Sequence, residues 1–134
     1  MMTKQQGVEW IEALESGEYD QARHSLYEVG VGYCCLGVAC KVVFGAPEDA
    51  MANMGDPSEA GYYLELGNVP EECFVGMFGV DDDGNVALPE EWIDPDGVDL
   101  GAAFIYMNDD LLWDFQRIAA WAREHVLPRL PEAA

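Results

Sequence analysis

The chain has 134 residues, half of them hydrophobic, with four Trp, six Tyr and five Phe. That is the size of one domain, with enough apolar surface for a core that needs no disulfide or metal staple. Twenty-six acidic residues face six basic ones, a formal net charge of -20, which repels phosphate backbones and anionic membranes and disfavours direct nucleic-acid or membrane binding.

No run approaches the roughly 18 apolar residues of a membrane span, and MMTKQQGVEWIEAL lacks a signal-peptide core. The expected location is the cytoplasm, where thiols stay reduced. Thr3 and Gln6 have the spacing of a capping box. Val8, Trp10, Ile11 and Leu14 then follow helical spacing to Gly17, which predicts a helix over about residues 4–15. From Ser25 to Tyr33 the period changes to two, with Tyr27, Val29, Val31 and Tyr33 on one face of a strand or hairpin arm, and a turn left open at Gly30 and Gly32. Cys34 to Phe44 is apolar almost all round and reads as a buried helix ended by Gly45 and Pro47.

Residues 46–60 read as a surface loop with one short helical turn, and Tyr62, Leu64 and Leu66 as a short strand. Pro70 opens a short helix to Phe78. Asp83-Gly84 and the DPDG of residues 94–97 are turn signals, with Val86 and Leu88 forming a strand between them. Ala102 to Met107 is a short apolar helix or turn. Asn108, Asp109 and Asp110 are then expected to cap a last helix, whose stripe is Leu111, Phe115, Ile118 and Ala122, with Leu112 and Ala119 beside it. The sum is a single α+β domain over residues 1–134, mainly helical, with a short antiparallel sheet and a buried central helix after a strand.

Three constellations could carry chemistry. Cys34, Cys35 and Cys40 lack the paired spacing of a zinc site. Cys34 or Cys35 at a helix start would have a stabilised thiolate and so a lowered pKa, and His24 or an exposed His125 would be its base. The competing reading is that small reduced cysteines pack a helix against a strand. Asp81, Asp83 and Asn85 alternate as in a calcium loop, but the sixth and twelfth positions are Val86 and Trp92, so a solvated turn is expected. Trp113 and Trp121 fall near one face of the last helix beside Arg117, a composition favoured in partner contacts. No cofactor or metal is expected.

WIEALESGEYDQ and YCCLGVAC, with MNDD and FQRIAAWA towards the other end, resemble a group of small bacteriophage-encoded proteins marked by a YCCLGV.C signature and a C-terminal ND element followed by F..IA. The motif residues are Trp10, Leu14, Gly17, Tyr19, Gln21, Cys34, Cys35, Leu36, Gly37, Asn108, Asp109, Phe115, Ile118 and Ala119. The resemblance implies an accessory protein that works in the cytoplasm of an infected cell. It is expected to be no enzyme, and to bind and sequester or inhibit a host protein or small host ligand in a counter-defence role, with self-association left open. Gln21, Arg23, Cys34, Cys35, Asn108 and Asp109 are the candidate ligand residues, and Trp113, Arg117 and Trp121 the candidate partner contacts. The alternatives are an acidic mimic of DNA that blocks a nucleic-acid-binding host protein, and a thiol-dependent enzyme.

Overall fold

Helix α1 spans Lys4–Ser16 in the computed structural model, which describes residues 2–52, 68–69, 71–84, 86–87, 93–94 and 97–132. Its start is the expected capping box. Thr3 Oγ1 accepts from Gln6 N at 3.2 Å and Gln6 Oε1 accepts from Thr3 N at 3.0 Å, satisfying two backbone donors that the first turn leaves open. Gly17 ends the helix in the left-handed conformation at φ 78°. The face with Trp10, Ile11 and Leu14 is buried.

The period-two stretch is a tight hairpin and not one continuous strand. Strands β1 (Tyr27–Glu28) and β2 (Gly32–Tyr33) pair antiparallel, with Tyr27 opposite Tyr33. Gly30, at φ 80°, lets the chain reverse. Val29 and Val31 therefore sit at the turn, 78% and 47% exposed, and do not share a buried face with the tyrosines. On its other side Tyr33 exchanges backbone bonds with Asp20 and Ala22, at 2.8 and 2.7 Å.

Helix α2 (Cys35–Phe44) is the buried central helix, with Cys35, Leu36, Val38 and Ala39 all at zero exposure. It packs against α1, whose Trp10 indole N–H donates to the Cys35 carbonyl at 2.9 Å. Gly37 faces the chain entering the hairpin. The Leu26 carbonyl accepts from Cys34 N at 3.1 Å, and that same oxygen lies where a Cβ on residue 37 would have to go. After Gly45, helix α3 (Glu48–Ala52) is the short turn expected in the following loop.

Strand β3 (Asn68–Val69) is followed by a 3-10 turn (Glu71–Phe74) and helix α4 (Val75–Phe78), where one short helix was expected. Strands β4 (Ile93–Asp94) and β5 (Gly97–Asp99) pair antiparallel, with Asp94 opposite Gly97, and the order β3-β5-β4 is antiparallel throughout; the middle of the expected DPDG turn lies outside the described residues. Val86 makes an isolated bridge with Val80. The strand expected at Tyr62, Leu64 and Leu66, and the position of Leu88, lie outside the described residues.

The end of the chain corrects the sequence reading. Helix α5 is Leu100–Asp109, so Asn108 and Asp109 finish one helix and do not cap the next. Helix α6 is Phe115–His125, and its N-cap is Asp114, which accepts from Arg117 N at 2.8 Å. Leu111 and Leu112 precede α6, and Leu112 takes φ 57° and is 60% exposed. That left-handed residue breaks the apolar pattern that seemed to run on from Leu111. Phe115, Ile118, Ala119 and Ala122 do form the buried stripe. One hydrophobic cluster joins α1, α2, α5 and α6, with Phe104 edge-on to Trp10 at 5.0 Å and to Trp121 at 5.8 Å. The architecture is α+β, mainly helical with short antiparallel sheets. No described helix is long and apolar enough to cross a membrane.

Gly37 gives the packing a test with an unambiguous sign. Helix propensity alone favours Gly37→Ala by about 1 kcal/mol. The collision with the Leu26 carbonyl reverses this, because backbone cannot yield as a side chain can. Urea unfolding should show the variant destabilised by roughly 2 kcal/mol or more.

Candidate functional site

Two features gather the singled-out residues. The first is a buried polar junction around Asn108, which has no solvent exposure. Its Oδ1 accepts from Gln21 Nε2 at 2.9 Å and from Cys35 N at 3.3 Å. Its Nδ2 donates to the Ala22 carbonyl at 2.9 Å and to Asp109 Oδ1 at 2.8 Å. Gln21 Nε2 also donates to the Trp113 carbonyl at 2.8 Å, and Asp109 Oδ1 also accepts from His24 N at 2.9 Å. One amide thus joins the segment before the hairpin, the start of α2 and the end of α5.

Gln21, Cys35, Asn108 and Asp109 are brought together, and their polar groups satisfy one another. His24 takes φ 68° and Leu112 φ 57°, and the bonds that His24 N donates to Asp109 and that Gln21 donates to the Trp113 carbonyl hold the backbone at or beside each. Arg23 does not join the network. Its Nε is buried and has no hydrogen-bond partner among the described residues.

The thiols behave oppositely to the helix-start expectation. Cys34 is the N-cap of α2 and its Sγ accepts from Gly37 N at 3.4 Å. That bond favours the thiolate, but burial outweighs it and pushes the pKa up to about 12. Burial raises Cys35 well above its ordinary value, and its Sγ–H donates to the Phe104 carbonyl at 3.5 Å. Burial also takes Cys40 up to about 11. The His24 ring, with 73% of its side chain exposed, lies 3.7 Å from Asp109 and points to solvent. All four cysteines are buried and none is in a disulfide. Asp81 Oδ1 is engaged by Asp83 N at 2.9 Å in the turn that the sequence suggests.

The second feature is a cleft of about 400 Å³ on the far side of α6, lined by Cys73, Met77, Trp113, Arg117, Trp121, Glu124 and His125. All three expected partner contacts meet here, although Trp113 comes from the segment before α6. The Arg117 guanidinium lies over the Trp113 ring, 4.1 Å from its centroid. Trp121 is almost buried against Phe74, at 5.1 Å, and His125 packs on it at 5.0 Å. His125 is therefore half-buried and not the exposed residue expected. Nε2 of His125 is 3.8 Å from Glu124 Oε2. Cys73 and Met77 were missed because they come from the turn and α4, with no sequence signal linking them to α6. A shallower groove of about 340 Å³ runs beside the hairpin, past Glu18, Asp20, Tyr27 and Tyr33.

A family model described as a domain of unknown function, DUF8296, matches residues 2–126. The chain belongs to that family. No curated protein and no solved structure matches it.

Asn108→Asp would turn the donor to Ala22 into an acceptor and place a second carboxylate beside Asp109. Asn108→Leu would leave Cys35 N and the Ala22 carbonyl without partners. Each should cost about 3 kcal/mol or more in chemical denaturation, and Asn108→Asp should regain part of the loss at acidic pH, where the new carboxyl is neutral. The thiols set an alkaline limit. Their pKa values are raised on folding, so the native state holds protons that the unfolded state releases. Stability is then fully present below about pH 9 and falls as the pH rises through 11 to 12. The slope reaches about 1 kcal/mol per pH unit for each thiol. Urea midpoints measured from pH 7 to 11 should be flat and then drop, less steeply in Cys40→Ala.

Proposed function

We propose that the protein is a non-enzymatic binding protein that sequesters a small host-derived ligand in the cleft between Trp113, Arg117 and Trp121. The carrying observation is that cleft. Its volume of about 400 Å³ lies within the usual range for small-ligand sites, and it offers aromatic surface with a few convergent polar groups. The alternative of a thiol enzyme at Cys34 or Cys35 loses support, because both thiols are buried and held protonated. The setting proposed is an infected bacterial cell, on the strength of the resemblance to phage accessory proteins. Sequestration fits a protein that works by abundance and affinity and needs no turnover.

Native mass spectrometry of protein purified from infected cells tests this reading. The expected spectrum carries one non-covalent adduct per chain, released on denaturation and absent from Trp113→Ala. A spectrum with only the bare chain mass, from protein that remains folded, would sink it.

A further inference from the structure

The geometry points to the chemical class of the ligand: a planar aromatic ring carrying one anionic group, a carboxylate or a phosphate, with the anion on Arg117 and the ring along Met77 and Trp121. This rests on the cleft being the binding site, and it starts from how the chain uses its few cations. Lys4 pairs with Glu132, Lys41 with Glu48 and Arg123 with Glu15. Arg129 donates to the His125 carbonyl. Arg23 and Arg117 make no such bond among the described residues, but the Arg23 Nε is buried, whereas Arg117 stands on the cleft. Its guanidinium is held flat over Trp113, 4.1 Å from the ring centroid.

A stacked guanidinium keeps its in-plane N–H donors available, and its orientation is already set. That geometry matches the paired oxygens of a carboxylate or phosphate, and less ordering is lost when they bind. Beside it the wall changes character. Trp121, Met77 and Cys73 line it there, and a ring laid along them would lose water from the face in contact. Glu124, with 76% of its side chain exposed, stands on the same rim beside His125. It opposes a second negative group at that end, so a ligand with a single anionic end fits best.

The chain's charge of -20 repels any anion at a distance. At physiological ionic strength such fields are screened beyond about 8 Å. Contact with Arg117 and ring burial must therefore hold the ligand, without help from long-range steering.

The test uses 15N-labelled protein and the indole N–H signals of Trp113 and Trp121. The Trp10 indole N–H, bonded to the Cys35 carbonyl, serves as an internal reference. Two intact probes, indole-3-acetate and adenosine monophosphate, are compared with their halves: indole, adenosine, acetate and inorganic phosphate. At least one intact probe should shift the Trp113 and Trp121 signals saturably and leave Trp10 unmoved, with its halves binding at least about tenfold more weakly. Arg117→Gln should weaken the intact probe by about tenfold or more and Arg117→Lys by less, while Glu124→Gln should tighten it. Indole or adenosine binding as well as its charged counterpart would overturn the anion assignment and leave the cleft as a binding site. No saturable shift from either intact probe at millimolar concentration would overturn the proposed ligand class. The adduct in native mass spectrometry would then decide separately whether the cleft binds anything.

Discussion

The Asn108 side chain is the interaction on which the rest of the structure depends. A buried amide is costly unless each polar atom is paired, and here its oxygen accepts twice and its nitrogen donates twice. The four partners come from three segments far apart in sequence. An apolar residue of the same size could fill the space, but it could not tell the chain which backbone amide and which carbonyl belong beside it. The junction fixes where α2 starts relative to α5, and so where the thiols lie in the core. It also extends outward. Gln21 bridges Asn108 to the Trp113 carbonyl, and the Trp113 N–H donates to the Met107 carbonyl at 3.0 Å. The ring on which Arg117 stacks is thus positioned from the core.

Charge shapes the remainder. With 26 acids against six bases, the surface cannot be held together by ion pairs, and the described ones are half-exposed pairs of small value. One cluster is better built. Glu48 accepts from Tyr33 at 2.8 Å and pairs with Lys41 at 2.7 Å. Lys41 and then Tyr33 hold its carboxyl down to about 2, while burial and then Glu48 push Tyr33 up to about 12. This ties α3 to the hairpin and α2. Elsewhere the apolar core must overcome the self-repulsion of the chain, and α2 sits at its centre, so close to the Leu26 carbonyl that only glycine fits at position 37.

What the sequence made legible was local. Thr3 and Gln6 announce α1 within three residues. The apolar run from Cys34 to Gly45, with Lys41 its one charge, announces a buried helix, and the need for glycine at residue 37 follows from its place inside that helix. What was misread depended on distant partners. Asn108 and Asp109 look like an N-cap because Asn and Asp favour caps, yet the group that claims Asn108 is Gln21, 87 residues away in sequence. The thiol of Cys34 does receive the amide bond that a helix start offers, but local pattern says nothing of the desolvation that outweighs it. Trp113, Arg117 and Trp121 were visible as a composition suited to contact. The opposite wall of their cleft comes from Cys73 and Met77, which only tertiary packing brings there.

The central claim is that the buried junction positions the cleft. It is tested most directly by the ring-current shift of the Arg117 side chain in proton NMR spectra of the wild type and of Gln21→Ala. In the wild type the Arg117 side-chain protons should be displaced upfield by the Trp113 ring beneath them. In the variant the bond to the Trp113 carbonyl is gone, so that displacement should collapse towards random-coil values while the circular dichroism still reports a folded, helical protein. An unchanged Arg117 shift in folded Gln21→Ala would show that the cleft is organised without the junction, and would contradict the account.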